Sequence, residues 1–382
     1  MLLDLFSSKD RAPAELVLTV DGAEIADLYP FLIEATVELS RAEAATASLT
    51  FEARRDEFGR WSVQDEEVLK PWARIIISAA FGSRTEEIMR GYVREIRLET
   101  PEDAGAARVK VDCQDDSTRL DREHRRRTWG TEDLPYSDEL ILNEILAPYG
   151  LVADSDSGSG QDNLVGLAQD DTDIKFLKAR AEFNGYELIF REGRVYFGPM
   201  RLTADPQDTM LVYAGMDTNC LTLSVRADGH QADAVAYDAP AASGDATTPE
   251  TVYPDLPLLG TERADSQAAG LEPFVWKLSA EAGADAQRLQ VLAQMKANDL
   301  DIHRLQGEGE LDGTLYGHVL QVGLPVPVDG LGDRLSGVYY VDSVSHSFTA
   351  AGYKQRFRIL RNAYGDNLDS VSGLAGALMG VL

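Results

Sequence analysis

The chain has 382 residues, 44% of them hydrophobic and 26% charged, and carries a net charge of −28. That length holds two or three ordinary domains with real cores. So acidic a surface repels phosphate backbones, which argues against a nucleic-acid partner, and no apolar run approaches the ~20 residues needed to cross a bilayer.

The opening MLLDLFSSKD has no basic lead, and Asp4 breaks its apolar run, so residues 1–14 read as an N-terminal arm rather than a signal peptide. From Leu16 to Cys113 the period is two. Phe31, Ile33, Ala35, Val37 and Leu39 share one strand face, Ile88, Arg90, Tyr92, Arg94 and Ile96 another, and Val109, Val111 and Cys113 a third. Turn residues between these runs predict an antiparallel barrel or sandwich over 15–115. Cys113 and Cys220 are too far apart for a zinc knuckle and read as buried thiols.

A mixed region, 116–200, follows. Tyr136 to Tyr149 predicts a helix with Ser137 as cap, an apolar stripe of Leu140, Ile141, Ile145 and Leu146, and Pro148 at its end. Ala153 to Asn163, ADSDSGSGQDN, has the composition of a flexible linker. Asp170 to Pro199, DDTDIKFLKARAEFNGYELIFREGRVYFGP, predicts a short helix stopped by Asn184-Gly185, then a hairpin turning at Glu192-Gly193.

Strand signals return over 201–365. Leu221, Leu223 and Val225 alternate, as do Ala232, Ala234 and Ala236. Pro240 to Leu271 reads as an extended excursion, and 205–274 holds twelve acids against only Arg226 and Arg263. A long helix is predicted at 279–303, with Leu278, Ala282, Ala286, Leu289, Leu292 and Met295 on its apolar side. Two strands around the Ala351-Gly352 turn close the domain. The tail, 366–382, repeats Leu368, Val371, Leu374, Leu378 and Leu382 at helical spacing among glycines, and reads either as a disordered end or as a docking peptide.

Catalytic signals are few. The five histidines show no metal spacing. Asp154 and Asp156 begin a calcium-loop pattern that fails at Gly158, Ser159 and Val165. Asp170, Asp171 and Asp173, or Asp115 and Asp116, could be posed as hydrolytic carboxylates, but acids before a helix more often act as caps. Arg125, Arg126 and Arg127, with Arg122, form the one basic patch, best read as a contact to an acidic partner or to another copy.

The Asp170–Pro199 segment resembles the core of phage tail-hub proteins, the late control protein D family, related to the N-terminal half of type VI secretion spike proteins. SGVYYVDSVSHSF and GYKQRFRILRNA, within Gly307 to Tyr364, resemble that family's closing segment, and ADGHQADAVAYD (227–238) matches it more loosely. The resemblance implies a mainly β fold with an α+β insert: two tube-like antiparallel β-barrels, a helix-hairpin middle domain and one long helix. It further implies a non-enzymatic homotrimer, a ring with pseudo-sixfold symmetry that joins tail tube to spike and lines the channel of a contractile phage tail. The partners implied are tube, spike and baseplate wedge proteins and a tape-measure protein, in the virion baseplate after assembly in the host cytoplasm. No cofactor or metal is implied. The alternatives are the hub of an injection system that delivers protein, and a wall-degrading tail enzyme. The two β-domains are compatible with distant duplicates. An acidic bore would suit passage of DNA, because like charge prevents sticking.

Overall fold

The computed structural model describes residues 13–240, 247–268, 270–279 and 286–368. The first β-region is built from β1 (Ala14–Val20), β2 (Leu32–Ser40), β3 (Thr46–Glu52), β4 (Arg74–Phe81), β5 (Arg84–Glu99) and β6 (Arg108–Asp115). Alternation decides its faces. Ala35, Val37 and Leu39 are buried while Glu34 and Glu38 are exposed. The expected face of β2 breaks at its start, because a bulge between Leu32 and Glu34 turns Ile33 outward to 40% exposure, and Phe31 lies in the preceding 3-10 turn. β5 breaks likewise: its register shifts between Val93 and Glu95, and Ile88 and Met89 are both buried.

The middle region holds β7 (His124–Trp129), α1 (Asp138–Leu146), β8 (Leu167–Thr172), α2 (Asp173–Asn184), β9 (Glu187–Arg191) and β10 (Arg194–Gly198). Ser137 Oγ accepts from Leu140 N at 3.2 Å and so caps α1, but Leu140 itself faces solvent. Gly185, at φ 69°, ends α2 in the left-handed conformation that glycine adopts without strain. The β9–β10 hairpin is covered on both sides. Leu188, Phe190, Val195 and Phe197 pack on Trp129, Ile145 and Leu177 of the middle core, whereas Ile189 and Tyr196 join the main core. The expected flexible linker is tied down: Gly158 N donates to Phe197 O at 2.8 Å, and Gln161 N to the Asp138 carboxylate at 2.8 Å.

The second β-region contains β11 (Cys220–Ala227), β12 (Ala234–Pro240), β13 (Thr247–Val252), β14 (Val275–Lys277), α3 (Ala286–Ile302), β15 (Leu305–Asp312), β16 (Pro325–Asp329), β17 (Gly337–Thr349) and β18 (Gly352–Arg361). Part of the expected excursion is thus a strand, with β13 and β14 flanking β12 in a small sheet that α3 covers. Of the expected 279–303 helix, 280–285 lie outside the described residues. Its buried face is Leu289, Ala293 and Ala297, the two alanines letting it lie close on Val235 and Tyr237, rather than Leu292 and Met295.

Two separate barrels were expected. The chain is mainly β with large antiparallel pairings, but both β-regions share one sheet, ordered β11-β15-β18-β17-β2-β3-β6-β5-β4-β1, and one hydrophobic core. A sheet buried on one face explains the clean alternation in both regions.

Candidate assembly interface

The two β-regions repeat one plan. In chain order the first contributes β2, β3, β4, β5, β6, which lie side by side as β2-β3-β6-β5-β4. The second contributes β11, β15, β16, β17, β18, which lie as β11-β15-β18-β17-β16. The orders are the same, and every neighbour within both is antiparallel.

The registers repeat as well. Tyr92 faces Gln114 as Tyr340 faces Leu360, and the bulge that follows falls between Val93 and Glu95 in one region and between Val341 and Ser343 in the other. The bulge between Leu32 and Glu34 has its counterpart between Cys220 and Thr222, and Leu221, like Ile33, is turned outward to 46% exposure. Two bulges at matched places in the two β-regions make the strand plan an internal structural repeat.

The regions meet where β17 pairs antiparallel with β2, from Ser343 opposite Ser40 to Phe348 opposite Ala35. This joint is sealed. Val344, His346, Val37 and Ala35 are all buried on its core side. At its end Arg41 binds Asp342 at 2.6 Å and Glu187 at 3.2 Å, and Tyr340 OH donates to Glu187 at 2.7 Å. Burial pushes the Glu187 carboxyl up, and Arg41 and Tyr340 pull it back.

Among the described residues the same joint is left open at each end of the plan. The counterpart of the joining stretch of β17 is Glu95–Thr100, for which β6 is the pairing neighbour, since β4 covers β5 only from Arg84 to Tyr92. The counterpart of β2 is β11, whose pairing neighbour is β15. On the core side of these edges Leu98 is 42% exposed, and Ile96, Leu223 and Val225 are half-buried. Their matched residues at the sealed joint, His346, Val344, Ala35 and Val37, are at 0%, 1%, 0% and 0%.

The other face of this sheet is polar. Thr36, Glu38, Ser48, Asp112, Glu95 and Arg97 lie on it in the first region, and Ser224, Arg226, Glu308, Glu310, Arg356 and Arg358 in the second. Acids and bases are mixed here: Glu310 takes Lys354 at 2.6 Å and Arg356 at 3.0 Å, and Glu99 takes Lys110 at 3.2 Å.

The expected partner residues fall elsewhere. Arg125, Arg126 and Arg127 lie on β7, and each meets a carboxylate of its own chain: Glu123 and Asp173, Asp170, and Glu144 respectively. Leu368 is buried, with its N–H on Asp366, and Val371, Leu374, Leu378 and Leu382 lie outside the described residues. Asp170, Asp171 and Asp173 are engaged by Arg126, Lys175 and Tyr149. Asp115 accepts from Ala45 N and Ser117 N, and burial raises its carboxyl to about 6. Among the described residues no group of three or more His, Cys, Asp or Glu is placed to hold a metal ion, and no helix is long and apolar enough to cross a membrane. Sequence reading missed the open edges. The available signal was the echo of Tyr340-Val341-Asp342-Ser343-Val344 in Tyr92-Val93-Arg94-Glu95-Ile96.

A family model described as the Alg8 N-terminal domain matches residues 11–350. The chain belongs to that family. No curated protein matches the chain. Among solved structures, the 43 kDa tail protein of prophage MuSo2 from Shewanella oneidensis is similar at TM-score 0.66 and 14% identity, over 91% of this chain and 98% of that one. The tail protein from Neisseria meningitidis MC58 gives 0.64 at 12% identity, over 92% and 97%. The Escherichia coli c3393 protein, described as a type VI secretion component with structural similarity to the T4 tail proteins gp27 and gp5, gives 0.55 at 11% identity, over 91% and 78%. At such identities the likeness establishes a shared fold.

Proposed function

We propose that the chain is a structural hub of a phage-type contractile tail, a non-enzymatic homotrimer of the late control protein D kind that joins the tail tube to the spike. The observation that carries this reading is the repeated strand plan with one joint made and its two halves left open. A chain that ends in two complementary edges closes by head-to-tail pairing, and three copies of a doubled unit give a ring of pseudo-sixfold symmetry. Burying Leu98, Ile96, Leu223 and Val225 would add about 1 kcal/mol each to the seam. The shared fold with two tail proteins supports the tail assignment, and the fold shared with the c3393 protein supports, as the alternative, a hub of a protein-delivering injection system.

In this ring the polar face lines the channel. Its charges are mixed, and much of the chain's acid excess lies in 205–274. The arginines of β7 and the tail beyond Leu368 are the proposed contacts to spike, tube or tape-measure proteins.

Light scattering on the purified protein should give three times the 41.8 kDa chain mass. A Leu98→Cys, Val225→Cys double variant should be linked into covalent trimers by a short thiol crosslinker, while either single variant should not. A monomer at every concentration with no crosslink overturns the ring.

A further inference from the structure

The open edges carry charges at most of the positions where the polar face of the sealed joint carries hydroxyls. On the polar face of the sealed joint, Ser343, Ser345 and Ser347 stand opposite Ser40, Glu38 and Thr36. The contact across it is a hydroxyl one, Ser345 Oγ donating to Glu38 at 2.6 Å. The matched positions on the open edges are Glu95, Arg97 and Glu99 on β5, and Asp228, Arg226 and Ser224 at β11.

Carrying the register of the sealed joint onto these edges puts Arg226 opposite Arg97, with Glu95 and Glu99 at its two diagonals. Asp228 then stands opposite Glu95 and diagonal to Arg97. Directly opposite like charges repel, but diagonal neighbours lie within reach of long side chains. The chain already uses this arrangement on the other side of β5. There β6 presents Asp112, Lys110 and Arg108 to the same Glu95, Arg97 and Glu99, and Lys110 reaches diagonally to Glu99 at 3.2 Å. Asp228 followed by Arg226 repeats the order of Asp112 and Lys110. The β5 side chains lie at the surface, with Glu95 at 55%, Arg97 at 51% and Glu99 at 40% exposure; Arg97 pairs with Glu95 and Lys110 with Glu99 within the chain, Arg226 is exposed with a hydrogen bond to Gln306 at 3.0 Å, and Asp228 accepts from His230 N at 2.9 Å and Gln231 Nε2 at 3.2 Å.

We propose that Arg226 of one copy seats between Glu95 and Glu99 of the next, with Asp228 against Arg97, and that this ladder selects which edges join. The partner is a second copy of this chain, and the inference rests on the ring reading above. A seam of this kind is steered and salt-sensitive, unlike the hydroxyl seam within the chain. The assembled bore would then alternate charged and hydroxyl seams around its circumference.

The test compares the full-length protein with Arg226→Glu, Glu95→Arg/Glu99→Arg, and all three changes together, reading mass against concentration by light scattering at low and at molar salt. The concentration needed for trimers should rise roughly tenfold or more in Arg226→Glu and in the double variant, and should fall back in the combined variant. Wild-type assembly should weaken with salt, and the monomer melting temperature should not change, since the altered residues are exposed. Trimers of Arg226→Glu at the wild-type concentration overturn the ladder and leave the ring standing. A wild-type protein that forms neither trimers nor the Leu98–Val225 crosslink overturns both.

Discussion

The sealed joint and the open edges are two copies of one design, and they differ where their tasks differ. Inside the chain, β17 meets β2 once, during folding, and cannot meet the wrong partner. It is lined with serines, buried on its core side, and locked at its end by Arg41, Asp342 and Glu187. At the open edges, Arg94 takes the place of Asp342 and Gly229 that of Arg41, so the lock is missing, and charges replace the hydroxyls. An edge that waits in solution has to stay soluble and refuse unsuitable strands. Alternating charge serves both needs. On the proposed ring, the comparison teaches that a repeated seam keeps its register and bulges while its chemistry follows whether the joining is intramolecular.

The largest effect should come from putting a charge into the sealed joint. Val37→Asp buries a carboxylate with no partner and should cost more than about 4 kcal/mol, enough to abolish soluble expression or cooperative melting. The same change at its matched position, Val225→Asp, should leave a folded monomer, destabilised by about 1 kcal/mol or less, that no longer forms trimers. If both variants unfold, or if both assemble, the distinction between the two seams is lost.

Next in size is the lock. Arg41→Ala leaves Asp342 and the buried Glu187 in each other's field without the cation that bridges them, and should lower stability by about 3 kcal/mol in chemical denaturation. Arg94→Ala, at the matched place on the open edge, should change monomer stability by less than about 0.5 kcal/mol. Equal losses would mean that the Arg41 cluster does not close the joint.

The strands that form this comparison were largely legible in the sequence, because a half-buried sheet imposes alternation. Ala35, Val37 and Leu39, and Val109, Val111 and Cys113, are buried as their spacing requires. What failed was local. A bulge inverts the face of whatever precedes it, so Ile33 and Leu221, read onto the same face as Ala35 and Leu223, point outward. Nothing in the composition of ADSDSGSGQDN shows that β10 and Asp138 hold it, because the bonds go to partners distant in sequence, the β10 backbone and the Asp138 carboxylate. The pairing of β17 with β2 was invisible for a related reason: the partners lie some 300 residues apart, and periodicity reports faces, not neighbours. The basic run Arg125 to Arg127 looked free because its carboxylates, Asp170 and Glu144, come later in the chain.

The last effect is nil at pH 7 and grows only as pH falls: acid sensitivity, which should separate the seams by a different variable. His346 sits in the sealed joint, fully buried, with its Nδ1 2.8 Å from Tyr353 OH and Gln355 opposite it. Its matched residue on the open edge is Leu98. Burial lowers the imidazole from 6.5 to about 3. The folded state therefore holds it neutral, while the unfolded chain takes up a proton as soon as pH falls below 6.5. The contribution of this group to stability is complete above that value and is lost as pH falls toward 3, by about 1.4 kcal/mol per unit within the window. His346→Gln keeps a hydrogen-bonding group beside Tyr353 but has no proton to gain. The stability difference between wild type and His346→Gln, measured by denaturant unfolding from pH 7 to pH 4, should shift against the wild type as pH falls. Parallel curves would mean that the buried imidazole is not what makes the joint titrate. With the predicted slope, acid weakens the seam within the chain through His346, while salt weakens the seam between chains through Arg226, and each can be loosened without the other.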